Sequence, residues 1–270
     1  MHHTRIDSHK KGLIASIKDI VTYKDLFFIL AYRDIKIRYA QTFLGIAWAI
    51  IQPLLTISIF TFLFTRAFNM EVPVPYALYA TAGMSTWSYF SYVLGQSGSS
   101  LIASQDIVKK VYFPRLIIPL SKAIAGLIDY TIIWVAIIGL LIYYQMWPGS
   151  NFMYLPIFIL FTLLTSLGMG IWISSLTIRY RDFQYIIPFI IQLGLYVSPV
   201  AYPASKIPAK FTFFYFLNPV AGIIEGVRWS LFLNTPFDDY ILISLAIGLI
   251  LFFTSILYFV SVEEKIADII

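Results

Sequence analysis

The chain is 270 residues long, 59% hydrophobic and only 12% charged, with a mean hydropathy of +0.80. A soluble domain carries roughly 25% charged residues, so this composition excludes an ordinary globular enzyme and indicates a polytopic membrane protein. Nineteen Lys and Arg against fourteen Asp and Glu leave a net charge of +5, and the absence of Cys excludes disulfides, thiolate metal sites and Cys nucleophiles.

Eight of the nineteen basic residues precede residue 40. They carry no groove-reading motif, which argues against nucleic acid and for membrane lipids or a partner protein on the positive side of a membrane. Residues 1–42 read as a cytoplasmic tail and an interface helix. In that helix Thr22 and Asp25 have capping-box spacing, and Asp34 and Arg38 form an (i, i+4) pair. Thr22 to Arg38 is expected to lie along the inner interface with its charges in water. No secretory leader is read ahead of its short apolar stretch, Leu26 to Tyr32.

Residues 43–270 read as an all-α transmembrane domain with spans at about 43–64, 76–95, 116–144, 154–176, 185–201 and 240–262. With both termini cytoplasmic, fourteen Lys and Arg fall inside, and only Arg66, Lys206, Lys210 and Arg228 fall outside. In the second span Thr81, Ser85, Ser88, Tyr92, Gln96 and Ser99 recur at helical spacing and put a hydroxyl and amide lane on one face. Such a lane serves either a hydrophilic conduit or a packing seam between helices. The connection Ser104 to Arg115 reads as a short lever, with an Asp106–Lys110 pair, Lys109 beside it and Pro114 ending the helix; a plain cytoplasmic loop is the alternative. In the third span Lys122 and Asp129 are seven residues apart, about 10 Å along the axis, and share a face without touching. A charged pair at membrane depth is either functional or a structural anchor, and Lys122 is near enough the inner end to snorkel.

The fifth span carries a stripe of Tyr185, Gln192, Tyr196 and Pro199, and Gln192 and Tyr196 are the expected wall opposite the lane. Segment 211–233 is broken by Asn218 and Pro219 and carries Glu225 and Arg228. It is expected to form two short re-entrant helices that dip from the outer face and cap an exit path, or else a surface hairpin. Aromatic residues make up 18% of the chain, more than two interfacial girdles require, and aromatic faces suit a glycan that must slide.

Enzyme motifs are missing. The histidines are His2, His3 and His9, no phosphate-binding glycine loop or nucleophile elbow occurs, and the Asp238–Asp239 pair reads as a capping cluster rather than a metal site. No metal or cofactor is expected in this chain. Energy must come from another chain or an ion gradient.

Arg33, Asp34, Arg38, Tyr39, Leu44, Gly45, Trp48, Gln52 and Pro53 stand in an order that closely resembles the start of polysaccharide-export permeases of the ABC-2 type. The resemblance continues through Lys110, Phe113, Pro114, Arg115 and Pro119, then Arg179, Arg181 and Asp182, then Ser198, Pro199, Tyr202 and Pro203. It ends with Asn218, Pro219, Arg228, Glu263, Ala267, Asp268 and Ile270. Two departures fall in one connection: Leu116 stands where many relatives have an acid, and Ser104 to Val108 replaces the usual Asn-x-x-Leu-Ile.

The resemblance, strongest to the O-antigen type, implies a multi-pass protein of the bacterial inner membrane. It implies a homodimeric channel, a separate ABC ATPase dimer that binds the ATP and Mg, and a polyprenyl-diphosphate-linked polysaccharide as cargo. Teichoic acid, capsule or drug export is the alternative of the same class, and a membrane-embedded glycosyltransferase the alternative of another. On this reading Arg33, Asp34, Lys36, Arg38, Asp106, Lys109, Lys110 and Arg115 couple to the ATPase. Arg38, Tyr39, Leu44 and Gly45 form an inner gate and head-group site, Thr81, Ser85, Ser88, Tyr92, Gln96, Gln192 and Tyr196 line the channel, and Asn218, Pro219, Glu225 and Arg228 form an outer gate.

Overall fold

The computed structural model describes residues 19–40, 47–233 and 235–269, and every regular element among them is a helix. In chain order these are α1 (Lys24–Ala40), α2 (Ala47–Phe62, continued by a π turn over Leu63–Ala67), α3 (Tyr76–Ala103), α4 (Gln105–Lys110) and α5 (Ile117–Tyr143). There follow α6 (Leu155–Arg179), α7 (Phe183–Val197), α8 (Ala209–Tyr215), α9 (Pro219–Leu231) and α10 (Tyr240–Ile269).

Proline marks three of the starts. Pro75 precedes α3, α6 carries a Pro in its first turn, and α9 opens on Pro219, where the missing N–H costs nothing. The end of α5 is a Schellman turn: Gln145 sits at φ 55°, and the Met146 N–H reaches back to the Leu141 carbonyl at 2.9 Å.

Among the described residues four helical segments are long and apolar enough to cross a membrane: Ala47–Ala67, Ile117–Tyr143, Ser150–Arg179 and Tyr240–Glu263. The expectation of six is met only in part. Tyr76–Ala103 has the length, at 28 residues, but Ser, Thr, Tyr and Gln dilute its apolar character, and Phe183–Val197 is apolar but 15 residues long, short of the ~20 that a crossing needs. Segment 211–233 does break into two helices at Asn218 and Pro219.

The hub of the molecule is α3, which packs against α2, α5, α6, α7 and α9. α10 lies on α6 and α9, and α1 lies along α5. Close approach depends on small residues, as expected where neighbouring lipid removes much of the hydrophobic drive and van der Waals packing decides. At Gly168 a methyl group would stand 2.8 Å from the Phe252 backbone, so α6 and α10 meet there main chain to main chain. Trp172 completes that seam, donating to the Thr254 hydroxyl at 3.1 Å and stacking on Tyr258 with centroids 4.6 Å apart.

Two apolar cores hold the opposite ends. One gathers Leu78, Ile137, Phe158, Phe232 and Ile241 near the α8–α9 hairpin. The other gathers Leu30, Leu101, Phe113, Ile117, Ile178 and Phe259 near α4. In contrast, only 6% of the apolar window of α2 is buried within the chain.

Candidate transport site

Helix α1 does not leave all of its charges in water. Asp34 turns inward onto α5, where Lys122 Nζ meets its Oδ2 at 2.7 Å while Arg33 holds its Oδ1 at 3.0 Å. One turn on, Arg38 Nη1 meets Asp129 Oδ2 at 2.6 Å, and the Tyr39 hydroxyl donates to Asp129 Oδ1. The expected Asp34–Arg38 pair is not among the ion pairs of the described residues, because each side chain is engaged by a partner on α5. The seven-residue spacing of Lys122 and Asp129 that was legible in the sequence serves two bridges to another helix. Burial, reinforced by the neighbouring carboxylate, pushes the Tyr39 hydroxyl up, so it stays a proton donor.

Arg38 also lies over the Tyr92 ring of α3 at 4.5 Å, a cation–π contact that ties the third helix into the cluster. Two cavities meet at this pair. One, of about 230 Å³, runs between α2, α3 and α5 past Gln52, Thr56, Ser88 and Asp129. The other, of about 630 Å³, opens toward α4 past Asp34, Gln96, Ser104, Asp106 and Lys122. Arg38 and Tyr92 line both, so the two cavities adjoin there as one cleft. An anion entering it would find charge-assisted donors.

The lane on α3 divides along its length. Thr81 and Ser85 are fully buried against neighbouring helices and give their hydroxyls to carbonyls of their own helix, Ala77 at 2.6 Å and Ala82 at 2.8 Å. Ser99 does the same with Gly95 at 2.9 Å. Ser88, Tyr92 and Gln96 instead face the cleft. The outer part of the lane is thus a packing seam in this conformation, because α3 is the hub and is enclosed on most sides. Gln192 and Tyr196 are exposed on α7; neither lines either of these cavities.

The lever α4 ends at Lys110, four residues ahead of Pro114, with Val111 already extended. Asp106, Lys109 and Lys110 are exposed, and the expected Asp106–Lys110 pair is not among the ion pairs of the described residues. Arg115 points elsewhere: its backbone N–H donates to Glu263 Oε1 at 2.8 Å and its guanidinium to the Glu263 carbonyl, which binds the connection to the end of α10. Lys36 is exposed, and Arg33 is partly so. Leu44 and Gly45 lie outside the described residues.

At the other end, the Asn218 side chain caps α9 by accepting from the Val220 N–H at 3.1 Å and donates to Ser198 Oγ at 2.9 Å. Arg228, with 2% of its side chain exposed, donates to the carbonyls of Pro199 at 2.6 Å and Val200 at 2.7 Å and to Glu225 Oε1 at 2.9 Å, with its guanidinium 3.6 Å from the Tyr79 ring centroid. It staples α9 to α3 and to the turn after α7. Sequence reasoning saw the charges at 225 and 228 but could not see that backbone carbonyls would satisfy the cation.

What sequence reasoning missed in the cleft is the pairing across 90 residues and the contribution of Gln52 and Thr56; the signals were polarity inside the first span and, for Gln52, its place in the motif order. Among the described residues no three His, Asp or Glu gather to hold a metal ion.

The chain is similar to the O-antigen export system permease protein RfbA of Klebsiella pneumoniae, 30% identical over 248 residues that cover 91% of this chain and 95% of that protein. It is similar to the protein of the same name in Myxococcus xanthus, 24% identical over 95% of this chain and 99% of the relative. The polysialic acid transport protein KpsM of Escherichia coli is 23% identical over 77% of this chain and 80% of its own length. Residues 25–232, from α1 through the stapled α9, match the model of the ABC-2 type transporter family, and the chain belongs to that family.

Proposed function

We propose that the chain is the channel-forming permease subunit of an ABC exporter that moves a polyprenyl-diphosphate-linked polysaccharide of O-antigen type outward across the bacterial inner membrane. It works as a homodimer with a separate ATPase dimer that binds the ATP and Mg. Family membership and the names of the relatives support the polysaccharide cargo. The observation that carries the head-group reading is the cleft at Arg38, which sets a partly exposed guanidinium between two polar cavities at the end of α1.

On this reading six helices cross, α3 and α7 joining the four long apolar ones, with both termini cytoplasmic. The exposed Lys36, Asp106, Lys109 and Lys110 face the ATPase, together with the outer side of Arg33. The α8–α9 hairpin dips into the outer leaflet as the outer gate, and the bare side of α2 meets lipid or the second copy.

The test is purification of the chain from its native membrane with whatever ATPase accompanies it, followed by reconstitution. ATP should drive a diphosphate-linked glycan across the bilayer, and Arg38→Gln should reduce that transport at least about tenfold, the worth of one charge-assisted bond. An ATP-inert preparation, or transport indifferent to Arg38→Gln, would remove the reading.

A further inference from the structure

Arg38 is not waiting empty-handed. Asp129 already holds it at 2.6 Å, and Asp129 is itself held through its second oxygen by the Tyr39 hydroxyl. Both oxygens of one carboxylate, 12 residues into a membrane-length helix, are thus committed to the last turn of α1. Around the cleft stand three cations, Arg33, Arg38 and Lys122, and three carboxylates, Asp34, Asp106 and Asp129, so its charges balance. Every cation in it has an acidic partner.

Resting on the head-group reading above, we propose that Asp129 is a specificity-determining residue: it occupies the anion position at Arg38 and admits only a head group that carries two charges. A singly charged phosphodiester, such as that of phosphatidylglycerol, would replace one monoanion by another. It would also strand a carboxylate in a poorly solvated site, so the exchange gains nothing. A diphosphate diester brings two charges on adjacent phosphates. One can take Arg38 while the other reaches toward Lys122 and Arg33, which line the same 630 Å³ cavity, and the second interaction compensates the release of Asp129. A site beside a membrane crowded with singly charged lipids needs such a threshold, or it would be filled permanently by bulk lipid.

The experiment uses the full chain in detergent and native mass spectrometry to count retained lipid. Three lipids are titrated: a polyprenyl-diphosphate-linked sugar, the corresponding polyprenyl-phosphate-linked sugar with a single phosphodiester charge, and phosphatidylglycerol. Wild type should retain the diphosphate at least about tenfold better than either monoanion, and Asp129→Asn should bring that ratio to within about twofold by admitting the monoanions. Asp129→Glu should keep the preference.

Tyr39→Phe removes only the hydroxyl on Asp129 and should move the ratio in the same direction by a smaller factor; it carries the test if Asp129→Asn does not fold. A preference unchanged in Asp129→Asn, or in Tyr39→Phe where that variant stands in, overturns the inference while leaving the head-group reading intact. If wild type retains neither polyprenyl lipid and Arg38→Gln changes nothing, the head-group reading has failed and the threshold fails with it.

Discussion

Arg228 shows how a charge survives at 2% exposure: its Nη atoms are spread over the Pro199 and Val200 carbonyls and Glu225, and its flat face rests on Tyr79. A guanidinium can do this because it offers several donors in one plane and is weakly hydrated. Arg228→Met keeps the length but leaves two carbonyls and a carboxylate without a donor, which should destabilise the chain by about 3 kcal/mol. The measurement is the melting temperature of the purified protein followed by Trp fluorescence. It should fall by several degrees in Arg228→Met and recover in part when Glu225→Gln is added. Equal melting of wild type and the single variant would mean that the staple contributes nothing. The sequence shows a basic residue nine positions after Pro219; it does not show the turn 199–202 that receives it, because that contact depends on how α7 and α9 fold back on each other.

Among the elements, α6 and α10 meet main chain to main chain, and Gly168 sets the spacing of that seam. The obstacle to a larger residue is backbone, which cannot swing aside as a side chain would. Gly168→Ala should therefore cost about 1–3 kcal/mol through overpacking. Gly139 on α5 faces nothing within 4 Å, so Gly139→Ala should leave the melting temperature unchanged or slightly raised, as helix propensity favours Ala. If both substitutions lowered stability equally, contact geometry would not be the cause. Helix starts were legible to within a few residues for α3, α5, α6 and α10, since apolar runs and Pro placement act locally. The ends of α3 and α4 were not: α3 extends eight residues past the expected 95 because Ser97 and Ser100 are buried by neighbouring helices, with Ser97 donating to the Pro119 carbonyl at 2.8 Å.

At the scale of the whole molecule the question is which part of the polar lane reaches water. The chain has no Cys, so single substitutions can be labelled without background. Ser88→Cys and Gln96→Cys border the cleft, and Gln192→Cys and Tyr196→Cys are exposed on α7; all four should react with a polar thiol reagent during ATP-driven transport. Thr81→Cys, Ser85→Cys and the Ile137→Cys control, each at 0% exposure, should stay protected. Labelling at 81 and 85 during turnover would show that α3 parts from its neighbours and that the full lane opens. Protection at 88 and 96 would move the path away from the cleft.

Composition, hydrophobic run length and the placement of Lys and Arg determined that this chain is helical and membrane-bound, because those properties depend on transfer free energies that each segment carries by itself. The order of its short motifs determined the family. Which polar groups pair was decided only by the tertiary structure. Asp34 could have reached Arg38 on its own helix, and Thr81 and Ser85 could have faced water; the lodging of α1 against α5 and of α3 at the hub assigned both otherwise. A hydrogen bond or ion pair is worth most where water is excluded, and the exclusion of water is a property of the packed chain and not of any stretch of its sequence.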